Sequence, residues 1–309
     1  MYPTTGRAHG TDGVFEVKRI WRVAAIQLPG CGSEPGANLA VAASYLRRAA
    51  RAGADLAVLP ELATVPYFGA EPPGRFRHLS EPIGGKSVAT FARLCGETGI
   101  AAVFPFYERD SRSGEYHNSL VVIGRDGKLL PMRSRRGERA QFRKLHLAMG
   151  EGLDEAQHFA RGGDLGIFAL DGLGLGCLIC YDRRFPECWR ELRALGALVV
   201  AVPIAGEGGD TIDFFLGELR THARENGVAV IAANKVGSEY PGSMTVANYG
   251  ESCVVSATGD LIARRTAAEG PGLVLAEIDL EEILRTRARL RYFEQRRLDL
   301  FAGPMPTEV

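Results

Sequence analysis

GLGCLICYDRRFPE, residues 174–187, carries the strongest signal in this chain for both architecture and chemistry. Its apolar run stops on Cys180, and the residues that follow are charged or turn-forming. The pattern predicts a strand over 175–180 and a helix that opens around Pro186-Glu187, since proline is well tolerated in a first helical turn. Such an order presents a thiol at the carboxyl end of a strand, where α/β sheets bind ligands, and near the positive end of a helix dipole. Cys180 is therefore a candidate nucleophile, although packing is the commoner role for a free cysteine.

The composition is that of an ordinary globular protein. The chain has 309 residues, of which 46% are hydrophobic and 24% are charged, enough for one large or two medium domains. Its 37 basic and 37 acidic side chains cancel, so charge indicates neither a nucleic-acid partner nor an anionic membrane surface. No segment has the roughly 18 consecutive apolar residues of a membrane-spanning helix, and the amino terminus lacks an apolar signal core, so we expect a cytoplasmic protein.

The six cysteines are scattered along the chain, without the density of a disulfide scaffold. Cys177 and Cys180 form one Cys-x-x-Cys spacing. Because no second pair and no thioredoxin-like context accompany it, we interpret the spacing as accidental and predict no zinc site, with redox chemistry as the minor alternative.

Apolar strands and amphipathic helices alternate from about residue 20 onward, with hairpin-like pairs between them. This alternation predicts a layered α/β fold with mixed sheets in a single domain over residues 19–309, after a flexible segment over 1–18. The predicted strands are 22–28, 56–59, 100–106, 116–123, 165–170, 175–180, 198–202, 228–233, 253–256 and 272–278. The predicted helices are 38–52, 87–98 with Ser87 as its cap, 187–195, 210–226 and 281–287.

Three other polar residues stand at the edges of apolar runs. Glu61 follows a buried-looking strand in LAVLPELATVPY (56–67), Lys144 lies between apolar neighbours in FRKLHL (142–147), and Glu155 lies in GLDEAQHF (152–159). A carboxylate at a strand end is a candidate general base, and a lysine in an apolar frame is a candidate oxyanion donor. Each residue also has an ordinary interpretation, as a helix-starting carboxylate, a surface lysine or a solvated charge.

Together these segments resemble the nitrilase superfamily of carbon–nitrogen hydrolases over nearly the whole chain, from about residue 20 to 301. The order of the segments, the RKxH form at Lys144 and the CYDxRFPE form at Cys180 all agree with that family. Further matching stretches are ARENGVAVIAANKVG (223–237), NYGESCVV (248–255), TGDLI (258–262) and QRRLDLF (295–301).

The resemblance implies a four-layer α-β-β-α sandwich with two mixed sheets and a Glu-Lys-Cys triad that needs no metal or organic cofactor. Glu61 would take the proton from Cys180, and Lys144 with the backbone amide of Tyr181 would hold the oxyanion. Glu155 would be the second glutamate, which in related amidases positions the substrate and the lysine. The sequence at Tyr181-Asp182 disfavours a nitrile substrate, because true nitrilases tend to carry Trp-Glu after the cysteine.

The stretch DRRFPE resembles the DRRWPE of N-carbamoyl-D-amino acid amidohydrolases, in which two arginines recognise the substrate carboxylate. We therefore expect Arg183 and Arg184 to bind a carboxylate, and the substrate to be an N-carbamoyl amino acid or a similar small carboxylated amide. The alternative for the arginines, above all Arg184, is that they shape the loop by packing on Asp182 or Glu187. The alternative activities are an ω-amidase or aliphatic amidase, and an acyl transferase in which an amine intercepts the thioester.

Several segments depart from these relatives or are weakly specified. SRRGERAQ (134–141) resembles an insertion, which either reshapes the pocket mouth or forms a solvated loop. Tyr67 and Phe68 either line the pocket or fill the core, and PIAGEGG (203–209) is expected to form a pocket wall. His146 is expected to be a hydrogen-bonded scaffold residue.

The carboxyl-terminal tail, about 290–309, is basic and aromatic and is expected to lie at an interface of a homodimer or larger homo-oligomer. Its apolar residues give it enough surface to need a partner. They are Phe293, Leu298, Leu300 and Phe301.

Overall fold

The computed structural model describes residues 18–150, 153–206, 211–242 and 244–300. Of the predicted flexible segment over 1–18, only Lys18 is among the described residues. Of the predicted interface tail, residues 290–300 are described, and 301–309 lie outside the described residues. The described ranges contain five α-helices, and none of them has the length and apolar character needed to span a membrane. The helices are α1 (Pro35–Arg51), α2 (Lys86–Thr98), α3 (Pro186–Ala194), α4 (Ile212–Asn226) and α5 (Leu280–Leu290).

The strands of the described residues follow the predicted alternation, with several short strands added between the predicted ones. In the first half they are β1 (Ile20–Pro29), β2 (Leu56–Val58), β3 (Ala101–Arg109), β4 (Tyr116–Ile123), β5 (Met132–Ser134), β6 (Gly137–Arg139), β7 (Phe142–Arg143), β8 (Met149–Gly150) and β9 (Leu153–Asp154). In the second half they are β10 (Gly166–Leu170), β11 (Leu173–Cys177), β12 (Val199–Ile204), β13 (Ala229–Glu239), β14 (Val246–Tyr249), β15 (Ser252–Val255), β16 (Leu261–Arg265) and β17 (Gly272–Asp279).

Two mixed sheets form the centre of the molecule. The first has the order β17-β1-β2-β3-β4-β7, in which β1, β2 and β3 are parallel and the outer pairs are antiparallel. The second has the order β6-β5-β10-β11-β12-β13-β15-β16, in which β11, β12 and β13 are parallel. The ends of β1 and β13 also pair with each other, so these two strands join the sheets.

The buried side chains divide into layers because neighbouring residues of a strand point to opposite faces. On β1, Trp21 and Val23 pack between the two sheets, whereas Ala24 and Ile26 pack against α1 and α2. On β12, Val200 and Val202 pack against α3 and α4. The layers are therefore α1/α2, first sheet, second sheet and α3/α4, which confirms the predicted four-layer α-β-β-α sandwich.

Two local predictions were wrong near the helix starts. Ser87 is not the cap of α2, because Gly85 precedes the helix in an extended conformation and Ser87 lies inside its first turn. The carboxylate of Glu81 accepts the Ser87 amide at 2.9 Å and so supplies the bond that a cap would supply. The predicted strand over 175–180 ends at Cys177, and Cys180 begins a 3₁₀ turn, Cys180–Arg184, ahead of α3.

The segment 134–141 is solvent-exposed, as the solvated-loop alternative expected, but it is not a simple loop. It belongs to an exposed hairpin in which β5 pairs with both β6 and β10, at the outer edge of the second sheet. Arg135 at its tip forms an ion pair with Glu191 of α3, so the hairpin is fastened to the helical layer.

Candidate active site

Glu61 follows the carboxyl end of β2 and is completely buried. Its Oε1 accepts hydrogen bonds from Lys144 Nζ at 2.8 Å and Asn118 Nδ2 at 2.7 Å, and its Oε2 accepts from the Ala205 amide at 2.9 Å. The next residue, Leu62, has a φ of +47°, an uncommon conformation for a residue other than glycine. The chain therefore turns sharply after the carboxylate, whose two oxygens are held by three separate segments.

Lys144 lies between two carboxylates and is 1% exposed. Its Nζ is 2.8 Å from Oε1 of Glu61 and 2.8 Å from Oε1 of Glu155, and its amide donates to the Asn118 carbonyl. Burial alone would lower the pKa of Lys144, but the carboxylates of Glu155 and Glu61 outweigh it and raise that pKa well above its usual value. Lys144 is therefore a permanent buried cation and not the surface lysine of the alternative interpretation.

Glu155 is also completely buried, so it is not a solvated charge. Its Oε1 accepts from Lys144 Nζ and from the Tyr67 hydroxyl at 3.0 Å, and its Oε2 accepts from the Ala148 amide at 2.7 Å. Burial raises the pKa of Glu155, and the neighbouring Lys144 cation opposes that rise. Glu61, Lys144 and Glu155 thus form one continuous charged cluster.

Cys180 is the only partly exposed cysteine of the six, since the other five are buried. It has a φ of +47°, a strained conformation that costs about 1–3 kcal/mol and is typical of functional sites. Burial, reinforced by Glu61, raises the pKa of the Cys180 thiol to about 12, while Lys144 and Arg183 act to lower it. The thiol is therefore protonated at neutral pH and needs a base to become a nucleophile.

Tyr181 follows Cys180 in the 3₁₀ turn, and the first amides of such a turn have no carbonyl partner within it. The role of the Tyr181 amide as an oxyanion donor remains a prediction. The Tyr181 ring makes an edge contact with Phe185, at 5.5 Å between centroids.

Asp182 joins the segment of Lys144 to the segment of Cys180, a role that sequence reasoning missed. Its Oδ1 accepts from the amides of Leu145 at 3.1 Å and His146 at 2.8 Å, and its Oδ2 accepts from the Ile179 amide at 3.2 Å. Nδ1 of His146 lies 2.9 Å from Oδ1 of the same carboxylate, and the imidazole stacks on Phe185. His146 is therefore the hydrogen-bonded scaffold residue that we expected.

We expect Asp182→Asn to lower the free energy of unfolding by about 1–3 kcal/mol, because the NH2 group that replaces one carboxylate oxygen faces a backbone N–H donor and cannot accept from it. Urea titration followed by circular dichroism measures the change. Asp126→Asn is the matched control, since Asp126 lies in an exposed turn where its carboxylate accepts the Lys128 amide, and it should change stability by less than about 0.5 kcal/mol. Equal stabilities of the two variants would contradict the role of Asp182.

The two arginines that follow differ in their surroundings. Arg183 is 3% exposed, its Nε lies 2.9 Å from Oε2 of Glu218 on α4, and its Nη1 donates to the Cys180 carbonyl at 3.0 Å. The same Nη1 is 3.9 Å from the Cys180 Sγ. The Arg184 side chain is 29% exposed, lies 3.8 Å from Glu218 and extends over the rings of Tyr181 and Phe214.

The predicted pocket residues on the loop after Glu61 are both buried. Tyr67 is 3% exposed, and its hydroxyl contacts the cluster through Glu155. Burial, followed by the charge of Glu155, raises the pKa of Tyr67 well above its usual value, so its hydroxyl remains a donor. Phe68 stacks on Phe76 and belongs to an aromatic core cluster.

Three residues that the sequence did not single out complete the surroundings of the cluster. Asn118 lies near the start of β4 between His117 and Ser119, ahead of the apolar part of the strand, so the local sequence does not distinguish it from an ordinary polar strand end. Ala205 acts through its backbone amide, and Glu218 contacts both arginines from α4, so neither leaves a signal in the local sequence. Ala205 belongs to the expected wall 203–209, of which residues 207–209 lie outside the described residues.

Comparison with known proteins identifies the family of this chain. The family model of the carbon-nitrogen hydrolases matches residues 22–288. The chain belongs to the carbon–nitrogen hydrolase family. Membership makes it an enzyme that cleaves carbon–nitrogen bonds, and it confirms the resemblance on which the sequence interpretation depended.

Individual relatives span most of the chain. An N-carbamoylputrescine amidase of Solanum tuberosum is 29% identical over 299 residues, which cover 93% of this chain and 95% of the relative. A deaminated glutathione amidase of Homo sapiens is 33% identical over 276 residues, which cover 86% of this chain and 79% of the relative. The crystal structure of a nitrilase-superfamily member from Saccharomyces cerevisiae superposes with a TM-score of 0.77 at 27% identity, covering 93% of this chain and all of that one.

Proposed function

We propose that this enzyme hydrolyses small carboxylated amides, foremost N-carbamoyl amino acids, through a covalent intermediate on Cys180. The observation that carries the proposal is the buried Glu61–Lys144–Glu155 cluster, whose charges act on a single partly exposed thiol held at positive φ. The curated relatives support the amide class, because an N-carbamoylputrescine amidase and a deaminated glutathione amidase are both named for amide substrates.

The first half of the reaction forms a carbon–sulfur bond. Glu61 takes the proton of the Cys180 thiol, and the sulfur attacks the carbonyl carbon of the substrate. Lys144 and the Tyr181 amide stabilise the negative oxygen that develops. The carbon–nitrogen bond then breaks, and the amine leaves as ammonia with the proton that Glu61 carried.

The second half returns the enzyme to its starting state. Glu61 takes a proton from water, the resulting hydroxide attacks the thioester or thiocarbamate carbon, and the sulfur leaves and recovers its proton. An N-carbamoyl amino acid then gives a carbamic acid, which loses carbon dioxide to leave the amino acid. Glu155 touches Lys144 at 2.8 Å and positions it in both halves.

The charge for the substrate carboxylate is proposed to come mainly from Arg184. Both arginines contact Glu218, but Arg183 is almost fully buried, whereas the Arg184 side chain is 29% exposed beside the same turn. A guanidinium group suits the task because its planar fork matches a carboxylate.

We expect Arg184→Gln to raise KM for an N-carbamoyl amino acid about 10–100-fold, since a charge-assisted bond contributes about 1.5–3 kcal/mol. For an uncharged aliphatic amide the same variant should change KM less than about threefold. Ammonia release from both substrate classes is the assay. Arg190→Gln is the control, because Arg190 on α3 is 28% exposed and pairs with Glu225.

Three results would count against the proposal in different ways. Turnover of uncharged amides without turnover of any carboxylated one would point to an aliphatic amidase that uses the same cluster. Turnover of ω-amides of dicarboxylic acids, without turnover of carbamoyl compounds, would favour an ω-amidase over an N-carbamoyl amino acid amidohydrolase. Formation of a new amide from an added alkylamine in preference to hydrolysis would indicate acyl transfer.

We also propose that the chain forms a homo-oligomer through the region beyond α5. Tyr292, Leu298 and Leu300 are 45%, 61% and 65% exposed, which leaves an apolar surface without cover in the described chain.

A further inference from the structure

A second buried ion pair lies outside the catalytic cluster, near the carboxyl end of β13. Lys235 and Glu239 are each 0% exposed, and Nζ of Lys235 is 2.8 Å from Oε1 of Glu239. A buried ion pair is weak evidence for stability, because well-packed apolar residues would often serve as well. The role of Lys235 and Glu239 is therefore better inferred from the other groups that they contact.

Those contacts fasten the loop that begins directly after Glu61. Lys235 Nζ donates to the Val65 carbonyl at 2.9 Å, and Oε2 of Glu239 accepts the Tyr67 amide at 2.9 Å. Oε1 of Glu239 also accepts the Cys31 amide at 2.7 Å, at the end of β1. A carboxylate can accept all these donors at once, which no apolar residue and no amide side chain could do.

The fastened loop leads directly to the catalytic cluster. The Tyr67 hydroxyl donates to Oε1 of Glu155, the same oxygen that accepts from Lys144 Nζ. Tyr67 is thus anchored by its amide to Glu239 and by its hydroxyl to Glu155. A shift of the loop would move both the donor to Glu155 and the backbone that follows Glu61.

The packing around Glu239 leaves it little freedom. A Cβ atom added to Gly30 would lie 2.8 Å from Cγ of Glu239 and 2.7 Å from the Ser238 carbonyl oxygen, closer than real contacts allow. Gly30, directly after β1, therefore lies as close to the Glu239 side chain as only glycine permits.

We propose that Lys235 and Glu239 form a positioning pair, which sets Tyr67 and, through its hydroxyl, the geometry of Glu155 and Lys144. The inference rests on the proposed function, because it assigns the pair to the reaction that Glu61, Lys144 and Cys180 perform. It adds two residues that touch neither the substrate nor the thiol.

The test is a double-mutant cycle on amide turnover. Glu239→Gln should lower kcat about 10–100-fold with KM changed less than about threefold, since small misplacements of catalytic groups have effects of this size. In a Tyr67→Phe background, which lacks the hydroxyl link, Glu239→Gln should lower kcat by less than about threefold further. Asp55→Asn is the control, because Asp55 is a buried carboxylate at the opposite end of β2, where it binds Arg125 and the Arg22 amide.

A second readout does not depend on the substrate. The rate at which iodoacetamide alkylates Cys180, followed by peptide mass spectrometry against pH, reports the fraction of thiolate. Because Lys144 lowers the pKa of the thiol, a displaced lysine should raise that pKa and slow alkylation at neutral pH in Glu239→Gln but not in Asp55→Asn. A purely structural role would lower the melting temperature of both variants and leave the alkylation profile unchanged.

Equal effects of Glu239→Gln in the wild-type and Tyr67→Phe backgrounds would overturn the inference, as would an unchanged kcat. If Glu239→Gln does not fold, Glu239→Asp takes its place, because it keeps the charge but is too short to reach both backbone amides. Failure of the wild type to release ammonia from any amide would instead contradict the proposed function. In that case the alkylation profile still tests the pair.

Discussion

Replacing Cys180 by alanine is expected to lower amide turnover by roughly 10⁴-fold or more, because the variant cannot form the covalent intermediate. Glu61, Lys144 and Glu155 hold one another through bonds that do not involve the sulfur, so the fold and the cluster should persist. Ammonia release measures turnover. Acid quenching of the reaction, followed by intact mass spectrometry, should show a mass increase for the wild type and none for Cys180→Ala.

Cys177→Ala is the matched control, since Cys177 is 1% exposed in the core between the sheets and shares the Cys-x-x-Cys spacing. It should keep turnover within about threefold of the wild type, because it lies outside the reacting groups. Loss of activity in both variants would favour the redox interpretation of the spacing. An adduct that survives in Cys180→Ala would show that another residue is the nucleophile.

Lys144→Met is expected to lower kcat by about 10²–10³-fold, because it removes an oxyanion donor. It should also lower the free energy of unfolding by about 3–5 kcal/mol, since the carboxylates of Glu61 and Glu155 would then face each other without a cation. Chemical denaturation at neutral pH measures the second effect, and single-turnover acylation of Cys180 measures the first.

The loss of stability in Lys144→Met should depend on pH in a defined direction. Burial raises the pKa of Glu155 above its usual 4.5, and Lys144 lowers it, so removing the cation raises that pKa further. A carboxyl group whose pKa is higher in the folded state than in the unfolded chain weakens the fold as pH rises above the unfolded value. The difference from the wild type should therefore widen as the pH rises above the ordinary value of 4.5.

Lys144→Arg separates the two roles of the residue, because it keeps the charge and changes the position of the donors. Lys144→Arg should have a free energy of unfolding close to that of the wild type, but its kcat should stay close to that of Lys144→Met. A Lys144→Met variant as stable as the wild type at pH 8 would contradict the buried charge cluster. So would a stability difference that narrows as pH rises.

Much of this site could be predicted from single residues at the edges of apolar runs. Glu61, Lys144 and Cys180 were each detectable because a reactive side chain followed a segment that had to be buried. The convergence of these side chains could not be predicted in this way, because Glu61 and Lys144 lie 83 positions apart in the chain and meet only when the strands are assembled. The family resemblance supplied that step.

Other features depend on backbone geometry and on distant contacts. The strand before Cys180 was predicted too long because Leu178 and Ile179 are apolar, yet the chain leaves the sheet there to form the 3₁₀ turn. Lys235 and Glu239 resemble the polar end of a strand in the sequence. Only the approach of β1 and of the loop after Glu61 turns them into a buried pair.

The pairing of β1 with β13 has a consequence for how such an enzyme can diversify. Each strand belongs to one sheet along most of its length and meets the other at its end, beside the residues that hold the loop after Glu61. Sliding or opening of one sheet against the other would break hydrogen bonds at that junction. We therefore expect new substrate preferences to arise from segments attached to the strand ends, such as the turn with Arg184. The two central sheets should keep their arrangement.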